Sequence, residues 1–469
     1  MAESQRGIGR RLSLGVSGQA FSRLIFAFNT VALIPILIRA WGVGGYGQWV
    51  ALTALASYMS YSNFGLVSTS ANEMVMAAGA DDHVRARRTF QMSLNLTFYI
   101  VLPLILIILA IASITPISKI LQLTAMSHSQ ALLIITLMAA QFWLQTVRGL
   151  MVAALYATGS YGLGYYLAGA AKMIELIGIA TVVTFFHGSQ VSAAAIMASV
   201  ALLDMTIITL VTYRAAPWAR IDLRAFDRSW VMAQAKPAFG FALWNLSTMG
   251  VLIQGPRIVL ATLLGGQAVA IYAIYGTAMR LMDQLLLMVV MPLEIEIAHS
   301  VGRKAIDQTY RLVGLGTQFS WALFIVVASF LMLCGPLVFH FWTHGQVGFS
   351  YGLMALYLLM SACNQLGRVS SHALISMNRL YGLSFVTLVI SVTALGLGAL
   401  LTIPLKIPGM VIGGTVGELG NSLVVIVVLT RWMGKPLSRF FIDQLDVRDT
   451  LAFAKTQGDR LLLRLRGST

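Results

Sequence analysis

The sequence predicts an all-α integral membrane protein with about 12 transmembrane helices, arranged as two six-helix lobes related as parallel repeats around a central cavity. Three observations carry this. Apolar residues fill 58% of the 469 positions and charged residues only 10%, whereas a soluble domain runs near a quarter charged. Apolar runs about as long as a bilayer is thick recur along the whole chain. One stretch also occurs twice. QTVRGLMVAALYATGSYGL at 145–163 and QLGRVSSHALISMNRLYGL at 365–383 place Gln, Arg, Ala and Tyr-Gly-Leu at the same spacings, 220 positions apart.

The expected spans in order are 17–40, 46–68, 92–113, 130–157, 161–187, 190–213, 237–263, 268–293, 313–340, 351–377, 380–402 and 409–431. Each is bounded by Gly, Pro, Asp, Ser or basic residues. The basic N-terminus, MAESQRGIGRRLSLG, leads into an apolar run of spanning length with no small-residue cleavage site, so it reads as a retained first span. An N-lobe of spans 1–6 (residues 1–213) is followed by a basic linker, RAAPWARIDLRAFDRSWVMAQAK, at 214–236. A C-lobe of spans 7–12 (237–431) and a basic tail (432–469) complete the chain; mixed Leu, Phe and Arg in the tail suggest an interfacial helix, with a disordered tail as the alternative.

Charge placement gives orientation. With the N-terminus inside, 23 basic residues lie in the inner connections and tail, and only Arg39, Lys119 and Lys406 lie outside. That bias puts both termini in the cytoplasm. The formal charge of +15 therefore marks topology, and no nucleic-acid partner is needed to explain it.

The repeat extends beyond its first match. PILIRAWGVGG at 35–45 and PRIVLATLLGG at 256–266 share Pro, one Ala and a closing Gly-Gly at an offset of 221, and the same offset carries Glu73 onto Glu294. Six crossings per copy is an even number, so both copies enter from the same side and are parallel repeats.

Six cations lie inside spans: Arg23, Arg148, Lys172, Arg257, Arg280 and Arg368. Four acids accompany them: Glu175, Asp204, Asp283 and Glu418. An ionised side chain facing lipid near the bilayer centre costs at least ~3 kcal/mol, so such groups face a partner or a wet cavity. Lys172 with Glu175, and Arg280 with Asp283, are three apart on one helix and can neutralise each other. Arg23 lies near the inner face, where snorkelling and a cavity role both stay open. Arg257 follows Pro256, whose ring removes a helix hydrogen bond. Arg148 and Arg368 have no acid three or four positions away and occupy equivalent places in the two copies. Surplus guanidinium favours an anionic cargo, phosphate above all. The candidate substrate-binding residues are thus Arg148, Arg368, Arg257, Arg280 and Arg23. Candidate gate or coupling residues are Glu73, Glu294, Asp204 and Asp283; for the two glutamates, plain solvated charge is an equal reading.

Other chemistries lack support. The seven histidines show no metal-ligand spacing, and no GxxxxGK[ST] occurs, so neither a metal, another cofactor nor ATP hydrolysis is expected. Cys334 and Cys363 lie in apolar runs and read as packing residues. Short outer loops argue against a membrane enzyme.

Residues 33–66, LIPILIRAWGVGGYGQWVALTALASYMSYSNFGL, and 71–90, ANEMVMAAGADDHVRARRTF, resemble the opening of Wzx-type polysaccharide flippases. These belong to the multidrug/oligosaccharidyl-lipid/polysaccharide (MOP) exporter superfamily. The resemblance implies alternating-access movement of an undecaprenyl-diphosphate-linked oligosaccharide across the bacterial inner membrane for surface polysaccharide synthesis. Its implied partners are that glycolipid, membrane lipids and polymerase or assembly proteins. Relatives often carry Asp where Asn63 stands, which bears on ion coupling. A small-molecule or drug antiporter of the same superfamily is the alternative, although span 1 carries Arg23 and no acid.

Overall fold

The computed structural model describes residues 2–63, 66–79, 81–223, 232, 239–240, 242–302, 305–376 and 381–445. Most of the expected linker and the tail beyond 445 lie outside these. Among the described residues the chain is helical throughout its apolar runs and forms no strand. Nine helical segments among the described residues are long and apolar enough to cross a membrane. They cover ten of the expected spans, because one segment, Ser17–Ser60, holds most of two. Spans 8 and 10 fall in helices of 37 and 26 residues.

The elements follow from local chemistry. Helix α1 (Ala2–Ser57) carries expected spans 1 and 2 and is broken at Gly42, where φ 70° and ψ 170° suit a residue without Cβ. A 3₁₀ turn (Tyr58–Asn63) leads to α2 (Leu66–Gly79). Helix α3 (His83–Leu96) is capped by Asp82, which accepts from the Arg85 amide. Span 3 then widens into a π turn (Thr97–Val101) before α4 (Leu102–Ile114). Pro103, in the first turn of α4, supplies no amide proton and its ring crowds the preceding turn, which accounts for the widening. Span 7 repeats the device: a π turn at Leu246–Gln254 precedes Pro256 in the first turn of α9 (Gly255–Leu264).

A short α5 (Ile117–Ile120) precedes α6 (His128–Ala157), which opens on a reciprocal capping box between Ser127 and Gln130. Helices α7 (Tyr161–Phe185) and α8 (Gln190–Ala215) follow. After α9 come α10 (Gly266–Gly302), α11 (Ile306–Trp342), α12 (Tyr351–Ser376), α13 (Tyr381–Leu405) and α14 (Ile407–Met433). Gly434 closes α14 in the left-handed conformation, and α15 (Leu437–Leu445) ends the described chain.

Close contacts divide the chain into two compact units. Unit one is Met1–Ile274 with His340–Val347; unit two is Tyr275–Phe339 with Gly348–Thr469. In unit one, Met74 of α2, Phe90 and Leu94 of α3, Leu150 and Met151 of α6 and Ile208 of α8 form a buried apolar core. In unit two, α12 and α13 both pack along α14. There Gly367 lies so close to α14 that an added Cβ would stand 2.6 Å from Ser422 Cα. Outward, Leu106, Ile107, Ile111 and Ile114 of α4 and Ile325, Val326 and Leu333 of α11 are exposed. Apolar rows of this kind suit a hydrocarbon solvent.

Cys334 and Cys363 are free, as the packing reading expects. Part of the tail is ordered against the protein. Phe440 of α15 is buried with its ring 6.0 Å from that of Tyr310 on α11, and the Tyr310 hydroxyl donates to Asp443 at 2.8 Å.

Candidate functional site

Arg148 sits on α6, nine residues before the end of that helix, and α6 packs lengthwise on α8. The packing turns Asp204 of α8 toward it, and Arg148 Nε donates to Asp204 Oδ2. The two side chains are only 17% and 12% exposed. One further donor, Arg148 Nη2, is buried and has no hydrogen-bond partner. On α6 and α7, the rings of Tyr156 and Tyr165 meet at a tilt with centroids 5.5 Å apart. Arg148 has no acid three or four positions away, and its carboxylate comes from a distant part of the sequence. None lies along its own helix, but one reaches it from α8.

The second arginine of the repeat has the same fate in unit two. Arg368 of α12 donates through Nη2 to Asp283 of α10 and to Asn364 Oδ1, the latter at 2.7 Å, and through Nε to Gln365 Oε1 at 2.7 Å. Gln365 donates in turn to Ser320 of α11. Asn364 Nδ2 donates to Glu418 Oε2 of α14 at 2.6 Å. One buried guanidinium therefore ties four helices together. Arg280, the partner assigned to Asp283 from spacing, directs Nη2 to Thr277, one turn back on α10, while its charge also acts on Asp283.

The other predicted residues divide as follows. Lys172 and Glu175 do pair, at 2.6 Å, and Lys172 Nζ also stands 5.7 Å from the centre of the Phe26 ring. Arg257 Nη1 donates to Gln254 Oε1 at 2.8 Å, across the junction of the π turn and α9. Arg23 is exposed on α1. Glu73 Oε1 lies 3.5 Å from Nε of Arg85, one of the basic residues that follow it. Glu294 lies within α10, and its side chain is outside the described residues. No group of three or more metal-binding side chains occurs among the described residues.

The structure adds residues that spacing did not single out, Asn364, Ser320 and the Tyr156–Tyr165 pair, and gives the repeated Gln365 a partner in Arg368. A usable signal existed for the ion pairs. Arg148 and Asp204 were both in-span charges without a partner along their own helix, and electroneutrality in a bilayer requires such orphans to find one another. The repeat is also less symmetric than its arginines suggest. At the offset of 220, Asp283 falls on Asn63 and Asp204 on Val424, so equivalent cations meet acids from non-equivalent helices.

No protein-family model matches the chain, and no curated protein matches it. Solved structures do. An inward-facing multidrug resistance MATE family transporter of the MOP superfamily aligns over 86% of this chain and 94% of its own, with TM-score 0.68 and 17% identity. An outward-facing MATE transporter aligns over 89% and 96%, with TM-score 0.57 and 16% identity. A MOP superfamily transporter from Pyrococcus furiosus, described as having a binding pocket of reversed polarity that suggests a different function, aligns over 90% and 94%, with TM-score 0.57 and 15% identity. The matched structures are transporters, and the chain has the multi-pass helical fold of MOP superfamily transporters.

Proposed function

We propose that the chain is a secondary exporter of the bacterial cytoplasmic membrane, with both termini inside, and that it moves small amphiphilic organic molecules by alternating access. The observation that carries this reading is the local neutralisation of the in-span charges. Arg148, Arg368 and Lys172 each hold a carboxylate, so neither repeated arginine stands as the uncompensated charge that a site built for a diphosphate would use. The likeness to multidrug MATE structures supports the same reading. Asp204 and Asp283 then serve as the coupling carboxylates, each releasing its arginine when neutralised.

A second reading rests on one specific observation. Arg148 Nη2 is a buried donor without an acceptor, and a phosphate oxygen is the acceptor guanidinium fits best. Together with the resemblance at 33–90, this supports a flippase for undecaprenyl-diphosphate-linked oligosaccharide, with Arg23, Arg257 and Arg280 assisting and polysaccharide assembly proteins as partners.

One pair of measurements separates them. Purified protein in proteoliposomes with an imposed proton or sodium gradient is assayed for ethidium efflux, and cells lacking their own polysaccharide flippase are assayed for restored surface polymer. Gradient-dependent efflux that disappears in Asp204→Asn supports the antiporter. Efflux at the empty-vesicle rate together with restored polymer overturns it in favour of the flippase.

A further inference from the structure

We propose that the two copies of the Gly-Gly turn, meeting each other in unit one, form a backbone gate on the face opposite the basic connections. The first copy, 35–45, ends one helical run and starts the next through Gly42; the second, 256–266, does so through Gly265, at φ 78° and ψ −177°. Both breaks thus use the same glycine-only backbone region. The two turns then come into direct contact. A Cβ on Gly47 would fall onto the carbonyl of Gly266. A Cβ on Gly266 would stand 2.7 Å from Gly44 O and 2.9 Å from Gln48 Cγ. Main chain lies on main chain at Gly44, Gly47 and Gly266, with the Gln48 side chain beside them.

A few polar ties hold this contact shut. Gln48 Nε2 donates to Thr124 Oγ1 at 2.8 Å, and Gln48 Oε1 accepts from the Ala125 amide at 3.0 Å. The same loop reaches the second copy, because Gln122 Nε2 donates to Thr262 O at 2.6 Å. Trp41 Nε1, in the first copy, donates to Gly188 O at 2.8 Å. Four turns on one face are therefore linked by side-chain-to-turn hydrogen bonds, each worth about 1 kcal/mol net. Because the meeting turns are equivalent segments of the repeat, separating them opens this face.

The test reads access rather than transport, so its outcome does not depend on the cargo. Cys334 and Cys363 are replaced by Ala, and Ala51→Cys is introduced as a reporter. Ala51 is fully buried on α1, one turn beyond Gly47. Labelling by a membrane-impermeant maleimide is measured in right-side-out vesicles. Gly47→Ala, which wedges the contact, and Gln48→Ala, which removes two ties without adding bulk, each raise labelling severalfold. Gly44→Ala, whose Cβ meets nothing within 4 Å, leaves it unchanged. Unchanged labelling in Gln48→Ala overturns the gate even if Gly47→Ala fails to insert. An equal rise in all three variants overturns it as well, since that is general loosening.

Discussion

Arg148 of α6 and Asp204 of α8 are 56 positions apart and share a hydrogen-bonded ion pair, although neither has an opposite charge one turn away on its own helix. Inside a bilayer each charge is tolerable because of the other. Taking away one partner strands an ion, which costs about 3–5 kcal/mol when buried, whereas removing both leaves a neutral gap.

The expected outcome is a reversal on double substitution. Arg148→Ala and Asp204→Asn each lower thermal stability of the detergent-purified protein sharply. The Arg148→Met/Asp204→Leu combination recovers most of the loss. A double variant as unstable as the worse single one contradicts the pairing. Scanning fluorimetry on the three proteins decides.

Arg368 presses the same logic further, because its guanidinium also organises Asn364 and Gln365. Lys at 368 keeps a positive charge for Asp283 but lacks the planar fork needed for Gln365 and Asn364 together. Arg368→Lys is therefore expected to cost about 1–3 kcal/mol, and Arg368→Ala more, since it leaves Asp283 unpaired. Denaturation midpoints that rank Arg368→Lys level with Arg368→Ala assign the whole effect to the fork and none to the charge.

Fold class was legible because the bilayer leaves so few solutions. Long apolar runs can span it only as helices, and the bias of basic residues then orders the loops. Pro103 and Pro256 both mark the sites where the helix widens, and Gly42 marks a break, each from its own covalent chemistry. The partners of the buried charges were not legible. Spacing along one helix sees i±3 and i±4 neighbours, as it did for Lys172 with Glu175. It is blind to a carboxylate brought in by another helix, so it pairs Asp283 with Arg280 and misses the hydrogen bond from Arg368. Asn364 passed unnoticed, and Gln365 stood out only as a repeated position, for a related reason: uncharged polar residues raise no alarm in a greasy span until a guanidinium is seen between them.

Close helix approach in unit two makes a different prediction. Gly367 faces the backbone of Ser422, where a methyl group has no flexible side chain to displace. Gly367→Ala must push α12 from α14 and strain the bonds from Ser422 Oγ to the carbonyls of Cys363 and Asn364. A loss of about 1–3 kcal/mol is expected, read as a lower midpoint in thermal unfolding. Gly396→Ala, which meets nothing within 4 Å, is the matched control and changes the midpoint little.

The ordered start of the tail is testable by proteolysis. Tyr310 donates to Asp443, Lys435 Nζ stands 2.8 Å from Asp307, and Phe440 is buried against the Tyr310 ring. The Lys435 pair involves a highly exposed Asp307 and contributes little. Burial of Phe440 contributes most, since losing a large core aromatic costs about 3–5 kcal/mol. Phe440→Ala should therefore free α15 from α11, and limited trypsin should cut at Arg439 many times faster than in the parent chain. Tyr310→Phe, which keeps the ring and loses one hydrogen bond worth about 1 kcal/mol, should speed that cleavage only a fewfold. If both variants are cut at the parent rate, α15 is held by something other than these contacts.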